Sequence, residues 1–178
     1  MATLKQIERT LPLDVLCARN SLCPEPTHET LEAIFERYKR PYHWPDYCCT
    51  SLISDLTQYY TEYRAPYHIA YLMKERHAIR HYGAVFGGMR NMHSAIIKAT
   101  GMIETLRKPN IGLVVEGWLY FPELKGFHEC DDYFRAMPVF KYLRKWYAFA
   151  KHGLSEVRFD DAEIAVGWKC PRQAFYGY

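Results

Sequence analysis

At 178 residues, 49% of them hydrophobic and 16% aromatic, the chain has ample material for a packed core, which excludes an intrinsically disordered polymer. No apolar run approaches the ~20 residues of a membrane span, and the opening MATLKQIERTLPLDVL lacks the long apolar stretch of a signal peptide, so one soluble, cytoplasmic domain over 1–178 is expected. The net charge is only +3, yet between Arg64 and Lys108 eight cations, Arg64, Lys74, Arg76, Arg80, Arg90, Lys98, Arg107 and Lys108, face just Glu75 and Glu104.

The first predicted helix runs from His28 to about Arg40, with Leu31, Ile34, Phe35 and Tyr38 at helical spacing. Pro41 and Pro45 break the chain, and Asp46 caps a second helix whose apolar stripe is Cys49, Leu52, Ile53, Leu56, Tyr60 and Tyr63. Pro66 closes that helix and introduces a third, Tyr67 to about His81, which stops at Gly83. The fourth, 84–108, carries the clearest pattern in the chain. Val85, Met89, Met92, Ile96, Ala99, Ile103 and Leu106 alternate spacings of four and three, and Gly87, Ser94 and Gly101 form a ridge of small residues beside them. Such a seam could pair two chains as a homodimer.

After Pro109, the alternation of Ile111, Leu113 and Val115 predicts a short strand element near 111–121. Asp131 and Asp132 can cap a further helix, kinked or restarted at Pro138, that runs to His152 and ends at Gly153. For 156–168 two readings stand: a hairpin turning at Asp160-Asp161, or a helix opened by an Asp160–Glu163 capping box. The fold class these elements predict is mainly α, a compact helical domain around helix 84–108 with a small strand element; α+β is the alternative.

The helix 138–152 would combine Lys141, Arg144, Lys145 and Lys151 with Phe140, Tyr142, Trp146, Tyr147 and Phe149 and contain no acidic residue. A cationic, aromatic face of this kind suits phosphates with bases stacked on rings, an anionic membrane surface, or a partner's groove. The leading functional expectation is a non-catalytic regulator or inhibitor that engages nucleic acid or a nucleoprotein assembly through Arg64, Lys74, Arg80, Arg90, Lys141, Arg144, Lys145, Trp146 and Lys151. A purely protein-binding module is an alternative, since exposed Tyr and Trp are common interface anchors.

Arg76-His77-Ala78-Ile79-Arg80-His81 offers a different chemistry. These six residues resemble the ribonuclease motif of the higher eukaryotic and prokaryotic nucleotide-binding (HEPN) helical domains. The resemblance implies a metal-independent endoribonuclease in which Arg76 holds the scissile phosphate and His81 moves protons to or from the ribose 2′-hydroxyl and the leaving oxygen. The plain alternative is an interface arginine beside a surface histidine.

No cofactor or metal is expected. Cys17, Cys23, His28, His43, Cys48 and Cys49 fit no zinc spacing, and helix capping explains the aspartates of His128-Glu129-Cys130-Asp131-Asp132 more simply than a metal does. The six cysteines read as reduced thiols.

Overall fold

A computed structural model describes residues 29–43, 48–61, 86–132 and 135–171, together with Tyr63 and Ala65. Among the described residues, three helices precede a series of antiparallel strands. The helices are α1 (Leu31–Arg37), α2 (Cys49–Thr61) and α3 (Met89–Lys98). The strands are β1 (Ile103–Glu104), β2 (Ile111–Val114), β3 (Glu116–Phe121), β4 (Gly126–Asp131), β5 (Met137–Tyr142), β6 (Lys145–Ala150), β7 (Gly153–Phe159) and β8 (Val166–Lys169). The mainly helical expectation is therefore wrong: among the described residues the fold is dominated by an eight-stranded antiparallel sheet, in the order β1-β8-β2-β5-β6-β7-β3-β4.

The sheet order carries a geometric consequence. Only Val115 separates β2 from β3 along the chain, yet β5, β6 and β7 lie between them in the sheet. In a flat sheet at ~4.8 Å per strand they would be ~19 Å apart, whereas the chain through one intervening residue reaches at most ~7 Å. The sheet must curl until β2 and β3 meet end to end. The returning chain follows this bend: Tyr120 and Leu119 of β3 pair with Arg158 and Phe159 of β7, and Ile111 of β2 pairs with Trp168 of β8. Between these ends, Ala165 donates its N–H to the Leu113 carbonyl at 2.9 Å and Trp118 donates to Asp161 at 3.3 Å.

Two apolar clusters occupy the two faces of the curled sheet. Inside the curl lie Val114, Leu119, Phe121, Cys130, Val139, Ala148 and Val157. On the other face, Ile111, Leu113, Phe140, Phe149, Leu154 and Trp168 pack against Ile34, Phe35, Leu52, Ile53, Met92 and Ile96 of the helices. Successive strand residues point to opposite faces, which is how Val139 and Phe140 serve different cores.

α1 begins at Thr30, whose hydroxyl accepts the Ala33 N–H at 3.2 Å. The shorter helix at 31–37 realises the expected 28–40 element, and α2 realises the second. α2 is buried nearly all round, so its polar side chains need internal partners. Ser54 donates to the Ala65 carbonyl at 2.9 Å, and Thr57 accepts the Ala65 N–H at 2.9 Å. Asp55 accepts from the Tyr38 hydroxyl at 2.6 Å and from Arg37 at 3.0 Å, tying α1 to α2. Burial and the nearby Asp55 charge push the Tyr38 phenol far above its ordinary pKa.

The predicted helix 84–108 is corrected at its C-terminal half. α3 ends at Lys98, and Gly101, at φ +88, turns the chain so that Ile103 and Glu104 pair with β8. Met89, Met92 and Ile96 of the seam are buried in this chain's own core, while Leu106 is exposed. They are thus unavailable for pairing with a second chain. The small-residue ridge also fails, because a Cβ on Gly101 would meet nothing within 4 Å; that glycine serves the turn. The third predicted helix, Tyr67–His81, lies outside the described residues.

The predicted helix from Asp131 to His152 is corrected outright: Pro138 lies on β5, and 145–150 is β6. Asp132 does cap a helix, though not the following one. It caps α3, accepting the Arg90 N–H on Oδ1 at 2.9 Å and the Met89 N–H on its carbonyl at 3.0 Å. This supplies what Gly88 at the N-cap position cannot. Asp132→Ala should therefore lower stability by about 1 kcal/mol, read from the urea midpoint. The tail 156–168 is extended as β7 and β8, but the two do not form a hairpin with each other; β7 pairs with β6 and β3, β8 with β1 and β2.

Candidate partner-binding surface

The strand conformation of 137–150 redistributes the basic residues on which the nucleic-acid expectation rested. A helix would have gathered Lys141, Arg144, Lys145 and Lys151 along one side. In the structure, Lys145 opens β6 and Lys151 lies just past its end, so at ~3.3 Å per residue they are ~20 Å apart. Lys145 pairs with Glu156 at 2.6 Å, and Lys141 Nζ lies 5.5 Å from the centre of the Trp146 ring. Trp146 is half-buried and packs against Phe159, with ring centres 5.8 Å apart. Tyr142 stacks on Phe35 at 4.5 Å, so it faces the helices and not a ligand. Arg90 donates from its guanidinium to the Ala165 carbonyl at 3.3 Å. Arg64, Lys74, Arg76, Arg80 and His81 lie outside the described residues. The single helical face predicted at 138–152 does not form; Lys141, Arg144 and Lys145 stay together with Trp146 at the β5–β6 turn, and Lys151 is set apart from them.

Arg144 sits in the two-residue turn between β5 and β6. Both turn residues take positive φ, +47° at Leu143 and +65° at Arg144, a conformation that suits Asn and Gly. Leu143 is 73% exposed and gains little packing in return. Replacing Leu143-Arg144 by Asn-Gly should raise stability by about 1–2 kcal/mol, visible as a higher denaturation midpoint.

Among the described residues the exposed aromatics are Tyr59 and Tyr63, at the end of α2 and just beyond it, and Trp118 and Phe127, which lie together on the β3–β4 hairpin. The burial of β3 alternates: Glu116 and Trp118 are exposed and Tyr120 is half-buried, while Leu119 and Phe121 point into the inner core. Across the hairpin Tyr120 pairs with Phe127, Trp118 with Glu129 and Glu116 with Asp131. The outward face thus presents Trp118, 42% exposed, and Phe127, 59% exposed, on either side of Tyr120, whose ring centre lies 4.9 Å from that of Phe127. Leu124, in the 3₁₀ turn 122–124 of the same hairpin, is also exposed. The rim of the aromatic face is acidic. Arg135 spans Glu129 and Asp131, its Nε lying 2.6 Å from Asp131. On the opposite side of β3, the Asp160 N–H donates to the Trp118 carbonyl at 3.1 Å.

Neither Cys49 nor Cys130 is prepared as a nucleophile. Burial and the adjoining Cys48 push Cys49 up to about 12, and burial pushes Cys130 up to about 11, so both stay protonated at neutral pH. Among the described residues no three His, Cys, Asp or Glu side chains come together to hold a metal ion, including those around His128. Among the described residues, no helix is long and apolar enough to cross a membrane.

Sequence reasoning passed over Trp118, Tyr120 and Phe127. The signal was present in Glu116-Gly117-Trp118-Leu119-Tyr120-Phe121, where a period of two sets Trp118 and Tyr120 on the face opposite Leu119 and Phe121. Comparison with protein-family models, curated proteins and solved structures finds no match to this chain.

Proposed function

We propose that this protein is a non-catalytic protein-binding module that docks a partner polypeptide on the outer face of the β3–β4 hairpin. The observation that carries this reading is the adjacency of Trp118, Tyr120 and Phe127 on a side of the hairpin turned away from both cores. Exposed large aromatics grouped on rigid strands are the usual anchors of protein interfaces, and a few such residues supply most of the binding energy. The nucleic-acid alternative is supported by less: its proposed stacking ring, Trp146, is half-buried against Phe159, Lys145 is paired with Glu156, and Lys151 and Arg90 lie apart from the Lys141-Arg144-Lys145 group.

A photoreactive amino acid at Leu124 should crosslink a polypeptide in an extract of the source cells. That crosslink should survive nuclease treatment and disappear in Trp118→Ala and Phe127→Ala, each weakening the complex by about 2 kcal/mol. Both side chains are exposed, so the variants should keep the wild-type melting temperature. A crosslinked species removed by nuclease, or one indifferent to both substitutions, would sink this reading.

A further inference from the structure

We propose that the partner segment received by the β3–β4 face is cationic, a lysine- or arginine-rich stretch whose side chains lie across Trp118, Tyr120 and Phe127. The inference rests on the docking role assigned to this face and adds the chemistry of its occupant. The argument is charge complementarity. Residues 116–135 and 158–163 together hold eight carboxylates against three cations, in a chain whose net charge is positive. The fold brings the two segments to the same place. Trp118 has Glu129 as its cross-strand partner and Glu116 two residues before it on the same side. Asp160 and Asp161 are hydrogen-bonded through their backbones to the other edge of Trp118, and both are exposed, as is Glu116.

Rings and carboxylates so interleaved select cations by two effects. The faces of Trp, Tyr and Phe attract ammonium and guanidinium groups, and a carboxylate rim steers them in while repelling acidic chains. The chain itself provides an example, since the Arg135 guanidinium already bridges Glu129 and Asp131 at one end of this face. Glu116, Asp160 and Asp161 lie on the remaining rim, where Arg158, the β7 neighbour of Tyr120, is among the described residues the one cation placed beside them, so carboxylates still predominate around Trp118.

The test is a fluorescence titration with a labelled lysine- and arginine-rich peptide, and with a glutamate-rich peptide of equal length, at low and moderate salt. The basic peptide should bind, and the acidic one should not. Affinity for the basic peptide should fall about tenfold in Trp118→Ala and by a similar factor in Glu116→Lys and in Asp160→Lys/Asp161→Lys. Melting temperatures of the variants identify any that fail to fold, and Glu116→Lys, at an exposed strand position, is the variant least exposed to that risk. Absence of binding to the basic peptide, equal binding of both peptides, or salt-sensitive binding untouched by Trp118→Ala would overturn the proposal. If the Leu124 crosslink to a polypeptide depends on Trp118 while the basic peptide fails to bind, the cationic chemistry falls and the docking role stands. If the crosslink also fails, both fall.

Discussion

Gly117→Val is expected to destabilise the protein by about 4 kcal/mol or more, a large share of the 5–15 kcal/mol typical of a domain. Gly117 holds φ +90, and a Cβ at that position would sit 1.7 Å from the Asp161 carbonyl oxygen and 2.7 Å from the Ala162 Cα. Both obstacles are backbone, so no rotamer change relieves them. The loss has two sources: positive φ in a β-branched residue, and separation of the 111–121 segment from the returning chain where they come closest. Gly126→Ala is the control. A Cβ there meets only the Leu124 carbonyl at 3.8 Å, an ordinary contact, so its melting curve should stay close to wild type. Similar losses in both variants would show that the close approach at Gly117 is unimportant.

Acid should weaken the fold through His93, which lies on α3 and is fully buried. Burial pulls its pKa down from 6.5 to about 3. Above pH 6.5 the imidazole is neutral in both folded and unfolded chains, and its contribution to stability is fully present. As the pH falls below 6.5 the unfolded chain takes up a proton that the folded chain refuses until about pH 3. Stability should therefore decline across that window, by at most ~1.4 kcal/mol per pH unit from this group. Urea midpoints measured from neutral pH down through the window should show the decline, and His93→Gln should flatten it. An unchanged pH slope in His93→Gln would assign the acid sensitivity to other groups.

The first two helices were legible because their signals are local: Ile34 with Phe35, then Leu52, Ile53 and Leu56, recur at helical spacing, although the Thr30 cap of the first went unread. Extended structure at 111–121 was legible only in part: the Ile111-Leu113-Val115 alternation pointed to one strand, whereas the chain forms two, β2 and β3, that part at Val115. The stretch 137–150 was not legible, for three physical reasons. Both of its faces are buried, so Val139 and Ala148 on one side interleave with Phe140, Tyr147 and Phe149 on the other, and polarity does not alternate. Its turn, Leu143-Arg144, lacks the Asn-Gly chemistry that announces a hairpin. Pro138 also argues against a strand with neighbours on both sides, yet β5 lies between β2 and β6. In α3 the period was right and its extent wrong, because the turn at Gly101 interrupts a pattern that Ile103 and Leu106 continue by coincidence. The aromatic patch was half legible: the alternation that exposes Trp118 can be read from the sequence, but the proximity of Asp160 and Asp161 is a product of the curl.

The single-residue link at Val115 bears on how the chain acquires its structure. β3 has a near partner in β4, but β2 finds its partners only in β5 and β8, so its pairing waits on segments as distant as Val166–Lys169. During synthesis at ~5–20 residues per second, β2 precedes the end of β8 by roughly fifty residues, or about 3–10 s. Over that interval Ile111, Leu113 and Leu119 have no completed sheet to enter, and the nascent chain presents an apolar strand with an unsatisfied edge. Such non-local closure also predicts refolding in the slower, β-rich range of small proteins. The same closure that gives the mature sheet its inner core thus makes a half-made chain a natural client for a chaperone.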